Sequence, residues 1–310
     1  MTDTASRGPT GGPSAVPEPE AVKAIPVRNY GRWVAAVLAV GLFAVVVTAF
    51  GRSDQITWEA VPSLLTRDTI LLGAGYTLLI SVTAMVLGIV LGVVAAVMRL
   101  SPNPVTSSIA AFYVWFFRGT PVLVQLLLWY NLSLAFPTLT IPGIYSADMN
   151  AVMTPFVAAL LGLGINEGAY MAEIVRAGIL SIDPGQVDAA NALGMDGRLT
   201  MRRIVLPQAM RVIIPPTGNE YINMLKTSSL ASVVQFPELL KAHDNIAAGS
   251  LAVFEGLMAI SIWYLVLTTV FSIGQHFLER RFARGTDRRR TLIERLLANI
   301  APKRVGAQTR

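Results

Sequence analysis

Cysteine is absent from the 310 residues and histidine occurs only twice. That excludes a disulfide framework, a thiolate metal site and a cysteine nucleophile. His243 and His276 stand apart from any carboxylate-rich set, so no metal site, cofactor or catalytic residue is expected. There is no G-x-x-x-x-G-K-[ST] phosphate loop and no H-E-x-x-H, so neither ATP hydrolysis nor zinc-peptidase chemistry is expected of the chain itself. Charge is scarce too: 14% of residues are charged against 53% hydrophobic, with mean hydropathy +0.55. One soluble core of this size does not use so many apolar side chains, whereas a bilayer does.

Apolar runs long enough to span recur at roughly 33–50, 70–98, 109–135, 152–179, 217–236 and 253–278, the fifth being the least apolar. The expected fold class is an all-α polytopic membrane protein of about six transmembrane helices. Residues 1–32 lack the basic start and short apolar core of a secretory signal and read as a disordered tail rich in Pro, Gly, Ala and Ser. Six spans place both ends on one side. With the N-terminus inside, 19 Lys and Arg lie inside and three, Arg52, Arg67 and Lys241, outside. Both termini are therefore expected in the cytoplasm, the chain lying in the cytoplasmic (inner) membrane. Residues 279–310 carry a net +7. Two readings suit that tail: a surface helix on anionic membrane lipid, or a plain positive-inside anchor, with nucleic acid excluded as a partner.

Between the fourth and fifth spans the chain carries its own start and stop signals. Asp183 suits an N-cap, Pro184 the first helical position and Gly194 the left-handed position after the helix. A second short helix is expected from Asp196 toward Leu206-Pro207. Within this knob stand Asp188-Ala189-Ala190, then Gly194, then Ile204-Val205-Leu206-Pro207. Those residues and both spacings resemble the Glu-Ala-Ala, Gly, Ile-x-Leu-Pro signature of ATP-binding-cassette importer permeases, with Asp188 in place of the usual Glu.

The resemblance extends over most of residues 70–280. Phe116–Gln125 (with Arg118-Gly119-Thr120-Pro121), Gly168–Arg176 and Gly218–Leu230 look like the polar amino acid branch (histidine-, glutamine-, arginine- and glutamate-type permeases). The last stretch often carries Asp after the Lys, where this chain has Thr227. What the resemblance implies is a type I importer permease (MetI-like) fold with an extra N-terminal helix. It implies a transport subunit that moves polar amino acids by alternating access, without its own ATPase site. The same signature suits an importer of another small polar solute. The implied partners are ATP-binding subunits on the coupling loop, an extracytoplasmic amino-acid-binding protein, and a second permease copy or sister permease. The implied organisation is a tail at 1–32, an added helix and outer loop at 33–68, a permease domain at 69–279 with coupling loop 183–215, and a basic cytoplasmic tail at 280–310.

Helical phase gives an independent reason to look at the same segments. At about 100° per residue, Asn219, Glu220, Asn223, Lys226 and Thr227 fall within an arc of about 120° on the fifth span, as do Asn166, Glu167, Tyr170 and Glu173 on the fourth. Ionisable groups in a span usually face a cavity or a partner. Asn166, Glu167, Tyr170, Glu220, Asn223, Lys226, Thr227 and the adjacent Ser228 are therefore the candidate substrate contacts. Lys226 suits a substrate carboxylate or the carbonyls at a helix end. Glu173 and Arg176 suit a structural ion pair. Pro121, Gly162, Gly164 and Gly168 mark places where a helix could break, and Arg118 suits snorkelling to the interface.

Overall fold

The computed structural model describes residues 30–53, 56–250 and 252–282. The expected N-terminal tail up to residue 29 and the basic tail from residue 283 lie outside the described residues. Two compact units divide the chain after Gln55. In the first, α1 (Tyr30–Gly51) is a single apolar helix with no buried residue within its unit.

The second unit begins with α2 (Ala60–Leu65) and α3 (Asp68–Arg99). Asp68 in the first turn of α3 and Arg99 in the last complement its dipole. After α4 (Pro104–Gly119) the chain bends by 101° into α5 (Val122–Tyr130). The bend follows from Pro121, which lacks an N–H and pushes Thr120 into extended backbone at φ −111°, ψ 144°. A hairpin, β1 (Thr138–Ile141) with β2 (Tyr145–Asp148), pairs Ile141 with Tyr145 across Pro142-Gly143-Ile144, with Gly143 at φ +74°. It interrupts an otherwise helical chain, and Pro-Gly between two β-prone runs is its sequence signal.

Beyond the hairpin come α6 (Met149–Val152) and α7 (Pro155–Leu180). Then follow α8 (Pro184–Ala192), α9 (Gly197–Thr200), a π turn at Met201–Val205 and α10 (Leu206–Thr227). A 3₁₀ segment, Ser228–Val234, leads to α11 (Leu239–Ser250) and α12 (Val253–Phe282). The helix expected to stop near Pro207 instead runs on into α10, because a proline in the first helical turn needs no donor.

By length and composition α1, α3 and α12 can each cross a membrane, and α4 with α5 counts as a fourth crossing if the bent pair is one span. In α7 and α10 the apolar run is diluted by the ionisable residues Glu167, Glu173, Arg176, Arg211, Glu220 and Lys226. The core of the unit is the seam between α3 and α7. Small residues close it: a side chain on Gly88 would meet Glu167 Cγ at 2.7 Å, and one on Gly92 would run into Met171. Ile80, Leu126, Leu163 and Met224 form one apolar cluster, and Met85, Met171, Val175 and Ile213 another nearer α8. Leu72, Val86, Val90 and Val97 of α3 are exposed, an apolar face suited to lipid.

Candidate functional site

The polar residues of α7 and α10 meet. A cavity of about 610 Å³ is lined by Asn166, Glu167 and Tyr170 from α7 and by Glu220, Asn223, Lys226 and Thr227 from α10. Val122, Leu163 and Met224 complete its wall. Seven of the eight candidate contacts thus share one space. Ser228 does not line it: the residue is fully buried and its hydroxyl donates to the Leu225 carbonyl at 2.9 Å. Asn219 is exposed outside the lining, and Glu173 lies off it as well.

The break between α4 and α5 forms the edge of the site. Asn166 Nδ2 donates to the Phe117 carbonyl at 2.7 Å and to Gln125 Oε1 at 3.3 Å. Gln125 Nε2 donates to the same carbonyl at 3.0 Å and to the Thr120 carbonyl at 3.1 Å. Two amide side chains therefore satisfy backbone acceptors that a bent helix leaves open, as a non-helical turn at membrane depth requires. Gly162, Gly164 and Gly168 do not break α7, which is continuous from Pro155 to Leu180. They are contact points instead: Leu126 approaches Gly162, Leu87 approaches Gly164 and Tyr113 approaches Gly168.

Glu167 is 6% exposed, and its Oε1 has no hydrogen-bond partner among the described residues. The cavity thus offers two carboxylates, one ammonium, two amides and a hydroxyl. A second cavity of about 750 Å³ lies between α3, α7 and α10, nearer α8. Its walls are apolar side chains such as Val93, Val97, Val175 and Met210, so it has little to offer a polar solute.

Glu173 does pair with Arg176, whose Nη2 donates at 2.8 Å, and Arg99 of α3 joins the same carboxylate. Arg118 ends α4 with its guanidinium 5.1 Å from the centroid of the Tyr170 ring. The loop past α7 folds as its signals direct. Asp183 Oδ1 accepts from Gly185 N at 2.8 Å, Asp196 Oδ1 from Leu199 N at 2.7 Å, and Gly194 sits at φ +74°. Asp188, Ala189, Leu206 and Pro207 are exposed, Ile204 is half-buried and Ala190 faces inward. Leu193 is 82% exposed, an apolar knob on the loop surface that the motif reading passes over.

Residues 88–284 match the family of binding-protein-dependent transport system inner membrane components. The chain belongs to this family. It is 42% identical over 295 residues to the arginine transport system permease ArgU of Corynebacterium glutamicum, covering 94% of this chain and 92% of that one. It is 36% identical to the glutamine transport system permease GlnP of Escherichia coli K12, over 72% of this chain and 94% of the relative. A crystal structure of an amino acid ABC transporter with histidines superposes at TM-score 0.61, with 38% identity, over 69% of this chain and 94% of the other. The methionine transporter MetNI, at 16% identity and TM-score 0.55 over 69% of this chain and 96% of the other, shares the fold. The fold is thus the MetI-like one. The cavity and the α8 knob are features of a transport subunit of that family.

Proposed function

We propose that this permease carries polar amino acids through the cavity between α7 and α10, and that a partner ATPase drives it through the α8 knob. The carrying observation is the cavity's lining. An amino-acid zwitterion needs acceptors for its ammonium, offered by Glu167 and Glu220, and donors for its carboxylate, offered by Lys226, Asn166 and Asn223. The names of the two relatives, an arginine and a glutamine permease, support the same substrate class.

In this reading both termini are cytoplasmic, the hairpin faces outward and an extracytoplasmic binding protein delivers substrate there. Residues 183–215 dock on ATP-binding subunits, with Ala189 and Leu193 on the surface presented to a groove. Two permeases, identical or sister copies, pair around the path. Residues 33–68 are an added helix and outer loop, 69–279 the permease domain and 280–310 a basic tail. ATP-driven closure draws the paired knobs together and opens the spans outward, and hydrolysis resets them.

The test is uptake of labelled amino acids into vesicles holding the permease, its ATPase and its binding protein, with unlabelled amino acids as competitors. ATP-dependent uptake displaced by polar amino acids supports the reading. Uptake of a sugar or an inorganic ion alone overturns it.

A further inference from the structure

Arg118 is the one cation near the cavity that the proposed path has not yet used. Three of its features are unlike those of its neighbours. It stands at the corner where α4 ends and the chain turns by 101° into α5. That corner is fixed, because the Phe117 carbonyl accepts from both Asn166 and Gln125. Arg118 is exposed and, among the described residues, has no carboxylate within ion-pair distance, whereas Arg99 and Arg176 are both engaged by Glu173.

Its one marked contact is the face of Tyr170, at 5.1 Å. Tyr170 also lines the cavity. The ring is thus shared, bounding the space that holds Lys226 and supporting the guanidinium. Along α7 the order Glu167, Tyr170, Glu173, Arg176 leads from the cavity toward α8. Tyr170 lies one turn beyond Glu167, about 4.5 Å along the axis.

A guanidinium stacked on a ring keeps its in-plane N–H donors free for a carboxylate, in the fork geometry that grips both oxygens. Holding it there on a ring also limits the rotamer freedom lost on binding. An isolated charge at that depth is costly without such a role. We propose that Arg118 is the next carboxylate-binding residue on the substrate's route. It takes the α-carboxylate as Lys226 releases it, with the Tyr170 ring as the step between them. The inference rests on the amino-acid reading above and extends it from one loading site to a two-cation relay.

The relay is tested in vesicles holding the permease with its ATPase and binding protein, using labelled L-arginine and L-glutamine. Arg118→Gln is expected to lower kcat for uptake about tenfold. KM should stay within about twofold, because loading at Lys226 precedes the step. Stimulated ATP hydrolysis and co-purification with the ATPase should persist, so that cycles run without delivery. Arg118→Lys should recover part of the rate.

A residue that only pins the ring behaves differently, and Tyr170→Leu separates the two roles. If Arg118→Gln still slows uptake in a Tyr170→Leu background, Arg118 acts on the substrate. If that background abolishes the effect, Arg118 only holds the ring and the inference falls. It falls equally if kcat is normal in Arg118→Gln, or if KM alone rises. A wild-type complex that imports none of the common amino acids sinks the functional reading itself. Normal wild-type uptake beside an unaffected Arg118→Gln sinks only the relay.

Discussion

Gln275 of α12 donates from Nε2 to the Pro215 carbonyl of α10 at 2.8 Å. Pro215 and Pro216 lie inside α10 and lack N–H groups, so the carbonyls of Arg211 and Val212 lose their intrahelical donors. Gly218 leaves the room in which Gln275 sits, since any side chain there would collide with its amide. The weak point of α10 lies between the α8 knob and the cavity, and α12 braces it. Gln275→Leu is expected to cost about 1 kcal/mol of local stability. Uptake per ATP hydrolysed should fall while the cavity's affinity holds; measuring both rates on one preparation checks this, and an unchanged ratio removes the brace.

Gly88→Ala tests the α3–α7 seam. The added methyl would lie 2.7 Å from Glu167 Cγ, so the carboxylate must shift. Overpacking of this kind costs about 1–3 kcal/mol. Half-saturation for uptake should rise several-fold in step with Glu167→Gln, and a variant with normal half-saturation places Glu167 outside the substrate's reach.

Lys226→Met keeps much of the stem and removes the charge. The substrate concentration needed for uptake should rise more than assembly suffers, and Lys226→Arg should also be impaired because a planar fork does not replace a compact ammonium. Uptake kinetics beside co-purification with the ATPase decide it. Lost assembly returns Lys226 to a structural role.

Gly194→Val addresses the knob. The φ of +74° is unfavourable for a β-branched residue, by about 1 kcal/mol or more. Insertion should be normal while uptake and stimulated ATP hydrolysis fall together. Intact coupling in that variant counts against the loop as the docking element.

Because the chain has no cysteine, single introduced cysteines report its orientation. Positions near 145 and 244 should react with an impermeant reagent from outside, and those near 104 and 196 only after permeabilisation. Labelling of position 196 from outside overturns the proposed topology.

The parts legible in the sequence are those governed by neighbours in the chain. Asp183, Pro184 and Gly194 act within a few residues, so their spacing specified α8 and its end. The stripes on α7 and α10 were legible because helical phase is local, although their meeting in one cavity depends on packing. Ser228 was misplaced because the helix tightens to 3₁₀ after Thr227, which changes the angle per residue. Arg99 joining Glu173 spans 74 positions, and no local signal announces it. Glycines that admit Leu126 or Leu87 look, in sequence, the same as glycines that break a helix.

The π turn at Met201–Val205 fits an extra residue into the helix at the point where the knob becomes α10. Deleting any one residue there would let the turn relax to α geometry without breaking the helix. Everything beyond would then be rotated by about 100° relative to the knob. Glu220, Asn223 and Thr227 would swing off the cavity wall while every one of them remained in place in the sequence. The angular setting of α10 is thus held by residue count alone, and an indel of one in this turn should do more harm than replacing any side chain in it.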